Sequence, residues 1–343
     1  MKTFISITIG FVFFANLAVA QMTTFSQGDI LSAGAMNQNF KHLQDQFSWN
    51  KKEIDCSTDN LTGTINDGYN HIVINGNCSI NGLLTGGMDL SRYCGINYEH
   101  NPVQFLKIEG KTGKSTDSIT IGSTGNCNQL VGTFGGWLEL SKMSINTNRM
   151  DVNNGGILRI LDSTIDAEED GDSNRISSNK ANLLMENVTA EHHLKISMGS
   201  IADLINISNA SNKDILGNGN SYLKLDNVTS RKIELYSSTV ADLENSSIDC
   251  SESFQTCIHV ENLSSIKIEN SSINSDEEAS IVLRELSRVS LKTVTINTNK
   301  TIATINVNGP YAYLYVNEET TVPGTVACGQ NVTATSSSGD LCE

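Results

Sequence analysis

The phrase Leu225-Asp-Asn-Val-Thr-Ser230 decides the fold, because variants of it return along the middle of the chain. Each copy begins with an aliphatic residue, continues through polar residues that include Ser or Thr, and most copies end on another aliphatic residue. The copies follow one another in steps of 18 to 25 residues. Such a period is typical of a solenoid, in which each repeat is one unit stacked on the last. The copies occupy residues 140–145, 160–165, 185–190, 205–210, 225–230, 243–248, 268–273 and 291–296.

Aliphatic and polar residues alternate inside each copy, as in Leu223-Lys-Leu225-Asp and Ile266-Lys-Ile268-Glu. A period of two is the pattern of a β-strand. A coil of about 21 residues can hold two or three short strands and their bends, which is one turn of a parallel β-helix. Shorter phrases at 71–74, 105–108 and 118–121 predict further strands ahead of the regular repeats.

The third position of the repeat is most often Asn or Asp. Asn tolerates the left-handed backbone that a sharp bend between strands requires, and its amide can bond to the Asn one coil away. This column predicts a structural ladder of Asn side chains, with a ligand-binding row as the alternative. Its members are Asp162, Asn187, Asn227, Asn245 and Asn270, with Lys142, Ile207 and Thr293 as exceptions.

The spacing, the aliphatic-Asn-Ser/Thr-aliphatic phrase and the Asn column resemble right-handed parallel β-helix proteins of the pectin-lyase-like superfamily. The resemblance covers residues 72–316. It implies an all-β, right-handed parallel β-helix. The sequence further predicts a short N-terminal α-helix before it and a disulfide-tied C-terminal cap after it. Some members of that superfamily cleave acidic polysaccharides, whereas others are adhesins, tail-spike-like proteins or passengers. A pentapeptide-repeat solenoid is the rival fold, but its units must recur every five residues and these do not.

The first twenty residues have the features of a secretory signal. Lys2 precedes an apolar run over 4–17 and the small-residue site Ala18-Val-Ala20, which predicts cleavage after Ala20 and a secreted or cell-surface protein. No other stretch approaches the ~20 apolar residues that cross a bilayer. The segments predicted after the signal are an amphipathic or coiled-coil helix (21–55), Gly- and Cys-rich first coils (56–136), regular coils (137–308) and a cap (309–343).

Apolar residues between 36 and 54 follow the spacing of a coiled-coil seam. One interpretation is an amphipathic helix over the open end of the solenoid, and the other is a short coil that forms a homotrimer. Residues 25–40 resemble a leader found ahead of larger domains in exported Gram-negative and tail-fibre-like proteins, which favours the coil. The seam positions are Met36, Phe40, Leu43, Phe47, Asn50 and Ile54.

The chain is strongly acidic, with 38 Asp and Glu residues against 23 Lys and Arg residues and a net charge of -15. This balance disfavours a nucleic-acid partner, whose phosphates require cationic contacts. It also disfavours a polyanionic glycan unless cations bridge the two, since long-range repulsion slows their encounter.

All eight cysteines lie beyond the predicted signal, and an even number in an exported chain predicts disulfides. Pairing between neighbours in sequence is the simplest arrangement. A zinc site is the alternative, although the chain has no CxxC pair and its histidines are scattered. The predicted pairs are Cys56 with Cys78, Cys94 with Cys127, Cys250 with Cys257, and Cys328 with Cys342.

Two groups of acidic residues are candidate cation sites. The segment 166–174 has the alternating oxygens and central Gly of a calcium loop, although position twelve is Ser177 instead of a closing Glu. The second position of the repeat predicts an acidic stripe, which is either a salt-laced wall or a track for calcium or a cationic ligand. The calcium candidates are Asp166, Glu168, Asp170 and Asp172, and the stripe contains Glu186, Asp226, Glu244 and Glu269.

Two further groups invite a functional interpretation. Tyr311, Tyr313 and Tyr315 are predicted on one strand face, where stacked rings could hold sugars or pack on the cap. His192 and His193 are interpreted as two surface histidines, because adjacent strand residues point to opposite faces.

These features favour a non-enzymatic, adhesin-like binding protein whose partner is a polysaccharide or cell-surface glycan. The alternative is a calcium-dependent polysaccharide lyase, which requires a carboxylate cluster beside an Arg or Lys that takes the proton. Arg159 and Lys142 lie within about one coil of the acidic loop and are the candidates for that role. The Gly-His-Gly and Arg-Ile-Lys phrases typical of a hydrolase of the polygalacturonase kind do not occur.

Overall fold

The computed structural model describes residues 49–86, 103–122, 130–167, 174–209, 213–251, 256–276, 279–298 and 304–342. This part of the chain is an all-β parallel solenoid of about 11 turns, and one of its sheets has 11 strands stacked in order. The predicted parallel β-helix is therefore confirmed. Its right-handed sense and its place in the pectin-lyase-like superfamily stay predictions.

Each full turn has three faces, and strands on one face pair in parallel with the strands of the turns above and below. The first face contains β1 (Lys51–Asp55), β2 (His71–Asn75), β5 (Phe105–Gly110), β8 (Trp137–Ser141), β11 (Ile157–Leu161), β14 (Asn182–Ala190), β16 (Ile201–Asn209), β18 (Tyr222–Ser230), β20 (Val240–Glu244), β23 (Ser265–Glu269), β26 (Arg288–Lys292), β29 (Tyr313–Val316) and β31 (Thr333–Ser336).

Three nine-residue strands, β14, β16 and β18, bend halfway and continue onto the second face, which joins these two faces into one sheet. The other strands of the second face are β3 (Asn77–Ile80), β6 (Ser118–Ile121), β9 (Ser144–Asn146), β12 (Thr164–Asp166), β21 (Ser247–Asp249), β24 (Ser272–Ser275) and β27 (Thr295–Thr298). The strands predicted at 71–74, 105–108 and 118–121 correspond to β2, β5 and β6.

The third face is a separate sheet of 11 parallel strands. Its members are β4 (Leu83–Gly86), β7 (Leu130–Phe134), β10 (Arg149–Asn153), β13 (Arg175–Asn179), β15 (His193–Ser197), β17 (Asp214–Asn218), β19 (Lys232–Tyr236), β22 (Ile258–Val260), β25 (Ile281–Leu283), β28 (Ile305–Val307) and β30 (Val326–Cys328).

Inward side chains from the three faces form one continuous aliphatic core. In β18 the alternation places Leu223 and Leu225 inside, both fully buried, while Tyr222, Lys224 and Asp226 point outward. Each turn buries only a few aliphatic side chains, so its stability depends on stacking against its neighbours.

The predicted Asn ladder is confirmed from Asp162 to Asn227, at the bend between the first and second faces, whereas Asn245 Nδ2 donates to Asp226 Oδ1 at 3.0 Å. Asn187 Nδ2 donates to Asp162 Oδ1, Asn206 Nδ2 to Asn187 Oδ1, and Asn227 Nδ2 to Asn206 Oδ1, each at 2.8 Å. The prediction that Ile207 belongs to this column is wrong by one residue. Ile207 pairs with the inward Val188, and Asn206 takes the left-handed position with a φ of 54°.

The helix predicted over 21–55 is wrong for its last residues, because Lys51–Asp55 is the strand β1. Ile54 is buried in the core and pairs with Ile74, so it cannot belong to a coiled-coil seam. A single buried aliphatic residue fits either period, and pairing with β2 decides between them. Residues 1–48, which include the signal and the first four seam positions, lie outside the described residues.

The described part of the chain contains one short helix, α1 (Leu61–Asn66), whose first turn is capped by Asn60 Oδ1 accepting from Gly63 N at 3.1 Å. Its buried residues Leu61 and Ile65 join the core. Within the described residues, no helix has the length and hydropathy that a membrane crossing requires.

Three of the four predicted disulfides are confirmed, namely Cys56–Cys78, Cys250–Cys257 and Cys328–Cys342. Cys94 and Cys127 lie outside the described residues. The last segment continues the stacking before it ends, since β29, β30 and β31 all pair in parallel with the preceding turn. Only β32 (Gly339–Asp340), which pairs antiparallel with β31, departs from the pattern.

Candidate binding surfaces on the first face

The outward side chains of the first face, here called the outer face, form three rows along the solenoid. Strand register places them in successive turns, about 4.8 Å apart. From β5 to β29 the first row is Phe105, Trp137, Ile157, Asn182, Ile201, Tyr222, Val240, Ser265, Arg288 and Tyr313. The middle row is Lys107, Glu139, Arg159, Leu184, Asp203, Lys224, Asp242, Lys267, Ser290 and Tyr315. From β5 to β26 the third row is Glu109, Ser141, Leu161, Glu186, Ile205, Asp226, Glu244, Glu269 and Lys292.

The acidic stripe is confirmed over three turns, because Asp226, Glu244 and Glu269 are direct neighbours in the third row. Glu186 is separated from Asp226 by Ile205. Lys267 Nζ lies 3.1 Å from Glu269 Oε1, and its hydrogen bond is the main cause that lowers the pKa of Glu269. The stripe therefore has the lysine neighbours expected of a salt-laced wall.

A shallow pocket of about 180 Å³ lies where the stripe meets the middle row. Tyr222 Oη donates to Asp242 Oδ2 at 2.7 Å. Burial, followed by this hydrogen bond, raises the pKa of Tyr222 to about 12, so the phenol stays protonated at neutral pH. The lining residues are Tyr222, Lys224, Leu225, Asp226, Asp242, Leu243, Glu244, Lys267 and Glu269.

The two candidates for the proton-accepting cation of the lyase interpretation, Arg159 and Lys142, are both bound to carboxylates. Arg159 NH1 lies 2.7 Å from Glu139 Oε2, and Lys107 Nζ lies 3.0 Å from the other oxygen of that buried carboxylate. Lys142 Nζ donates to Glu109 Oε1 at 2.7 Å, which raises the pKa of Lys142. Both side chains therefore neutralise carboxylates of the wall.

Of the four calcium candidates, the structure describes only Asp166, at the end of β12. Its Oδ2 accepts a hydrogen bond from Ser144 Oγ at 2.7 Å. Glu168, Asp170 and Asp172 lie outside the described residues, so calcium binding there stays a prediction. In the parts of the chain that the structure describes, no group of three or more His, Cys, Asp or Glu side chains is placed to hold a metal ion.

The three tyrosines near the C-terminus lie on the surface, with exposed fractions of 72% for Tyr311, 38% for Tyr313 and 36% for Tyr315. Tyr313 and Tyr315 belong to the first and middle rows and neighbour Arg288 and Ser290 in β26. Tyr311 precedes β29 at a left-handed corner with a φ of 63°, not on the strand face itself. We call Tyr311, Tyr313, Tyr315, Arg288 and Ser290 the tyrosine surface.

Arg288 and Ser290 did not enter the prediction from sequence. Their signal is present in the repeat, because Arg288-Val-Ser-Leu291 leads into the last copy with the same alternation as Tyr313-Leu-Tyr-Val316. Extending the period by one turn beyond the last copy would have brought these two strands together.

The interpretation of two surface histidines is wrong for His192, which is fully buried. Its Nε2 donates to the carbonyl oxygen of Thr147 at 2.7 Å, and burial lowers the pKa of His192 to about 4. His193 begins β15 and is partly exposed, with Nδ1 accepting from Asp214 N at 3.2 Å. The two rings do point to opposite sides, but one of those sides is the interior.

Comparison of the chain with protein-family models, with curated proteins and with solved structures gives no match.

Proposed function

We propose that this chain is an exported, non-enzymatic binding protein of the cell surface or extracellular space, and that it binds a glycan at the tyrosine surface. The observation that carries the proposal is the exposure of three tyrosine rings at one end of a rigid solenoid. A sugar presents an apolar face that stacks on an aromatic ring and hydroxyls that hydrogen-bond to neighbouring groups.

The polar neighbours of the rings suit this ligand class. Arg288, beside Tyr313, brings several N–H donors, and Ser290, beside Tyr315, can donate or accept. The net charge of -15 opposes long polyanionic chains. The favoured ligand is therefore a neutral or weakly acidic polysaccharide or cell-surface glycan.

The proposal of a non-enzymatic role is supported by the state of the charged groups on the outer face. Arg159, Lys142 and Lys267 are all within ion-pair distance of carboxylates. Tyr222 has a raised pKa and is a poor base at neutral pH. These groups stabilise the wall of the solenoid.

A glycan array probed with the mature chain tests the binding proposal, followed by titration of the glycans that are retained. Tyr313→Ala and Tyr315→Ala should each weaken binding about two- to tenfold, since an aromatic contact contributes about 0.5–1.5 kcal/mol. Tyr222→Phe is the matched control, because it changes a tyrosine of the same face four turns away and should leave binding unchanged. Retention of full affinity by both alanine variants would refute the site.

The competing lyase function is measured in the same preparation. The chain is incubated with uronate polymers and calcium while unsaturated products are followed by ultraviolet absorbance. We expect no product. Product that disappears in Arg159→Ala would replace the binding proposal with the lyase. Export is tested separately, since sequencing of secreted protein should begin at Gln21.

A further inference from the structure

We propose that two copies of this chain associate through the middle of the outer face, from β5 to β20, as a pair whose two-fold axis lies over β14 and parallel to it. This inference does not depend on glycan binding, because the tyrosine surface lies beyond β20. The partner is identified by the surface itself, since the residues on one side of β14 are complementary to those on the other side.

The geometry of such a pair follows from the regular stacking. A two-fold axis parallel to the strands lays one outer face on another with the same rows in contact and the solenoid axes antiparallel. A residue that lies a given number of turns before β14 then faces the residue that lies the same number of turns after β14 in the partner. Both copies have the same spacing of about 4.8 Å, so the match does not drift along the interface.

The middle row reverses its charge about Leu184. Arg159 lies one turn before β14 and Asp203 one turn after it. The third turns hold Lys107 and Asp242, whereas in the second turns Lys224 faces Glu139, which is buried within its own chain. The pairs of the first and third turns join opposite charges, and the two-fold axis makes each of these pairs twice. Four charged contacts of the correct sign are therefore expected along this row.

Away from the axis the first row pairs apolar and aromatic residues, and Trp137 is largely buried beside the ring of Trp49 at 5.5 Å. The flanking third row adds a further aliphatic contact, Leu161 against Ile205. Stacking of aliphatic and aromatic side chains next to complementary charges is the anatomy of a specific interface. The facing pairs of the first row are Phe105 with Val240, Trp137 with Tyr222, and Ile157 with Ile201.

On the axis each residue meets its own copy. Leu184 supplies an apolar centre, and the amide of Asn182 can both donate to and accept from its copy. Glu186 is the unfavourable contact, but it is exposed at the rim beside the bend, where water screens the repulsion. Glu109 and Glu244 also face each other at the end of the third row, where Lys142 already binds Glu109.

Asp203 supplies an independent observation. Its side chain is only 14% exposed, and its Oδ1 is buried without a hydrogen-bond partner, with Lys224 Nζ 4.0 Å away. Burial raises the pKa of Asp203. A buried carboxylate oxygen without a donor is costly. In the proposed pair the guanidinium of the partner copy's residue 159 would approach the exposed part of this carboxylate and offset its charge.

The size of the surface is sufficient for a reversible pair. Seven turns at 4.8 Å and five residues of strand give about 550 Å² on each copy, or about 1,100 Å² in total, which is at the lower end for specific interfaces. Outward aliphatic side chains on three successive strands, β11, β14 and β16, are unusual for a surface that stays in water.

Sedimentation velocity on the full mature chain, with variants Arg159→Asp and Asp203→Arg, tests the pair. The unmodified chain should sediment as a dimer at high concentration. In each variant alone, residues 159 and 203 of facing copies have the same charge at both of the symmetry-related contacts. The association should therefore be weaker by about 100-fold. An equimolar mixture of the two variants should form heterodimers, because both contacts then join opposite charges again.

Folding is monitored by circular dichroism, since residue 159 also neutralises Glu139. If Arg159→Asp does not fold, Leu184→Glu replaces it as the disrupting variant. Lys267→Glu is the control, because it lies one turn beyond the interface and should leave the dimer intact. A monomeric unmodified chain, or folded variants whose mixture stays monomeric, would overturn the proposal. A trimer that persists in every variant would also overturn the proposal, because another segment would then be responsible for association.

Failure of this inference and failure of the proposed function are distinguishable. The disrupting variants retain the tyrosine surface, so they should keep their glycan affinity as monomers. Conversely, Tyr313→Ala should remain dimeric.

Discussion

Two corners of the solenoid use the same left-handed backbone in different ways. At the corner between the first and second faces, Asn206 has a φ of 54° and belongs to a ladder of side-chain amides. At the corner between the third and first faces, Leu263 and Leu286 have φ values of 66° and 57°, and their side chains are exposed. There the backbone joins the turns, as in the bond from Leu286 N to Pro310 O at 3.0 Å.

The comparison shows that a left-handed backbone can be supported by different groups. Where side chains form the ladder, from Asp162 to Asn227, the residues are Asn or Asp and a repeat is visible in the sequence, whereas Lys142 and Thr293 occupy the same corner outside the ladder. Where the backbone joins them, the side chain is free to vary, and the corner can carry residues with another role. Tyr311 is such a residue, because it occupies the corner between the third and first faces and belongs to the tyrosine surface.

The largest expected effect concerns the remaining corner, between the second and third faces, where His192 is buried. The pKa of His192 is about 4 in the folded chain and about 6.5 when unfolded. The folded state therefore binds fewer protons below pH 6.5. Its free energy of unfolding should be constant above pH 6.5 and fall by about 3 kcal/mol as the pH drops to 4. Chemical denaturation at a series of pH values measures this slope.

The matched variant for that slope is His192→Gln, which retains an N–H donor for the Thr147 carbonyl. It should lose most of the pH dependence between 6.5 and 4. Burial also lowers the pKa values of His71 and His259, so a smaller slope of the same sign remains. An unchanged slope in the variant would show that His192 is not the group that titrates.

The next effect compares the corners directly through Asn206→Ala and Asn262→Ala. Both residues have nearly the same φ, 54° and 56°, so the strain of alanine is equal. Asn206 donates to Asn187 and accepts from Asn227, whereas Asn262 donates only to the neighbouring Glu261 in its own turn. We expect Asn206→Ala to lower the free energy of unfolding by about 2 kcal/mol. The loss for Asn262→Ala should be smaller than that by about 1 kcal/mol.

Denaturant midpoints of the two alanine variants give this difference. Equal losses would mean that the ladder bonds contribute nothing beyond what water provides. The ladder would then reflect only the tolerance of Asn for left-handed backbone.

The parts of the fold that the sequence predicts are those whose residues repeat. The period of the aliphatic phrase predicts the solenoid, and the Asn column predicts the first corner, since both depend on residue type alone. Pairing between neighbours predicts Cys56–Cys78, Cys250–Cys257 and Cys328–Cys342. The error at Ile207 arose because aliphatic residues flank Asn206 on both sides, so the phrase fits in two registers.

The outer face is harder to predict, because the side chains that become neighbours in a row depend on the register between turns of unequal length. Segments between the strands differ in length from turn to turn, and the spacing of the repeat does not show where the extra residues are placed. The charge reversal about Leu184 becomes visible only after the pairing of β11, β14 and β16 is known. The prediction for His192 was wrong for a related reason. Alternation shows that two adjacent side chains lie on opposite faces of a strand, but it does not show which face is buried.

The smallest change in stability is expected at the corner between the third and first faces. The variants Leu263→Gly and Leu286→Gly remove its exposed side chains. Glycine relieves about 1–2 kcal/mol of left-handed strain and costs about 0.5–1 kcal/mol of chain entropy. Little burial is lost, because the two leucines are 60% and 47% exposed. Each variant should therefore be more stable by about 0.5–1 kcal/mol, which a thermal melt resolves. Asn206→Gly relieves less strain, because Asn already tolerates the left-handed backbone, and it also breaks the ladder, so this variant should be less stable than the unmodified chain. A gain in stability equal to that of Leu263→Gly would remove the distinction between the corners.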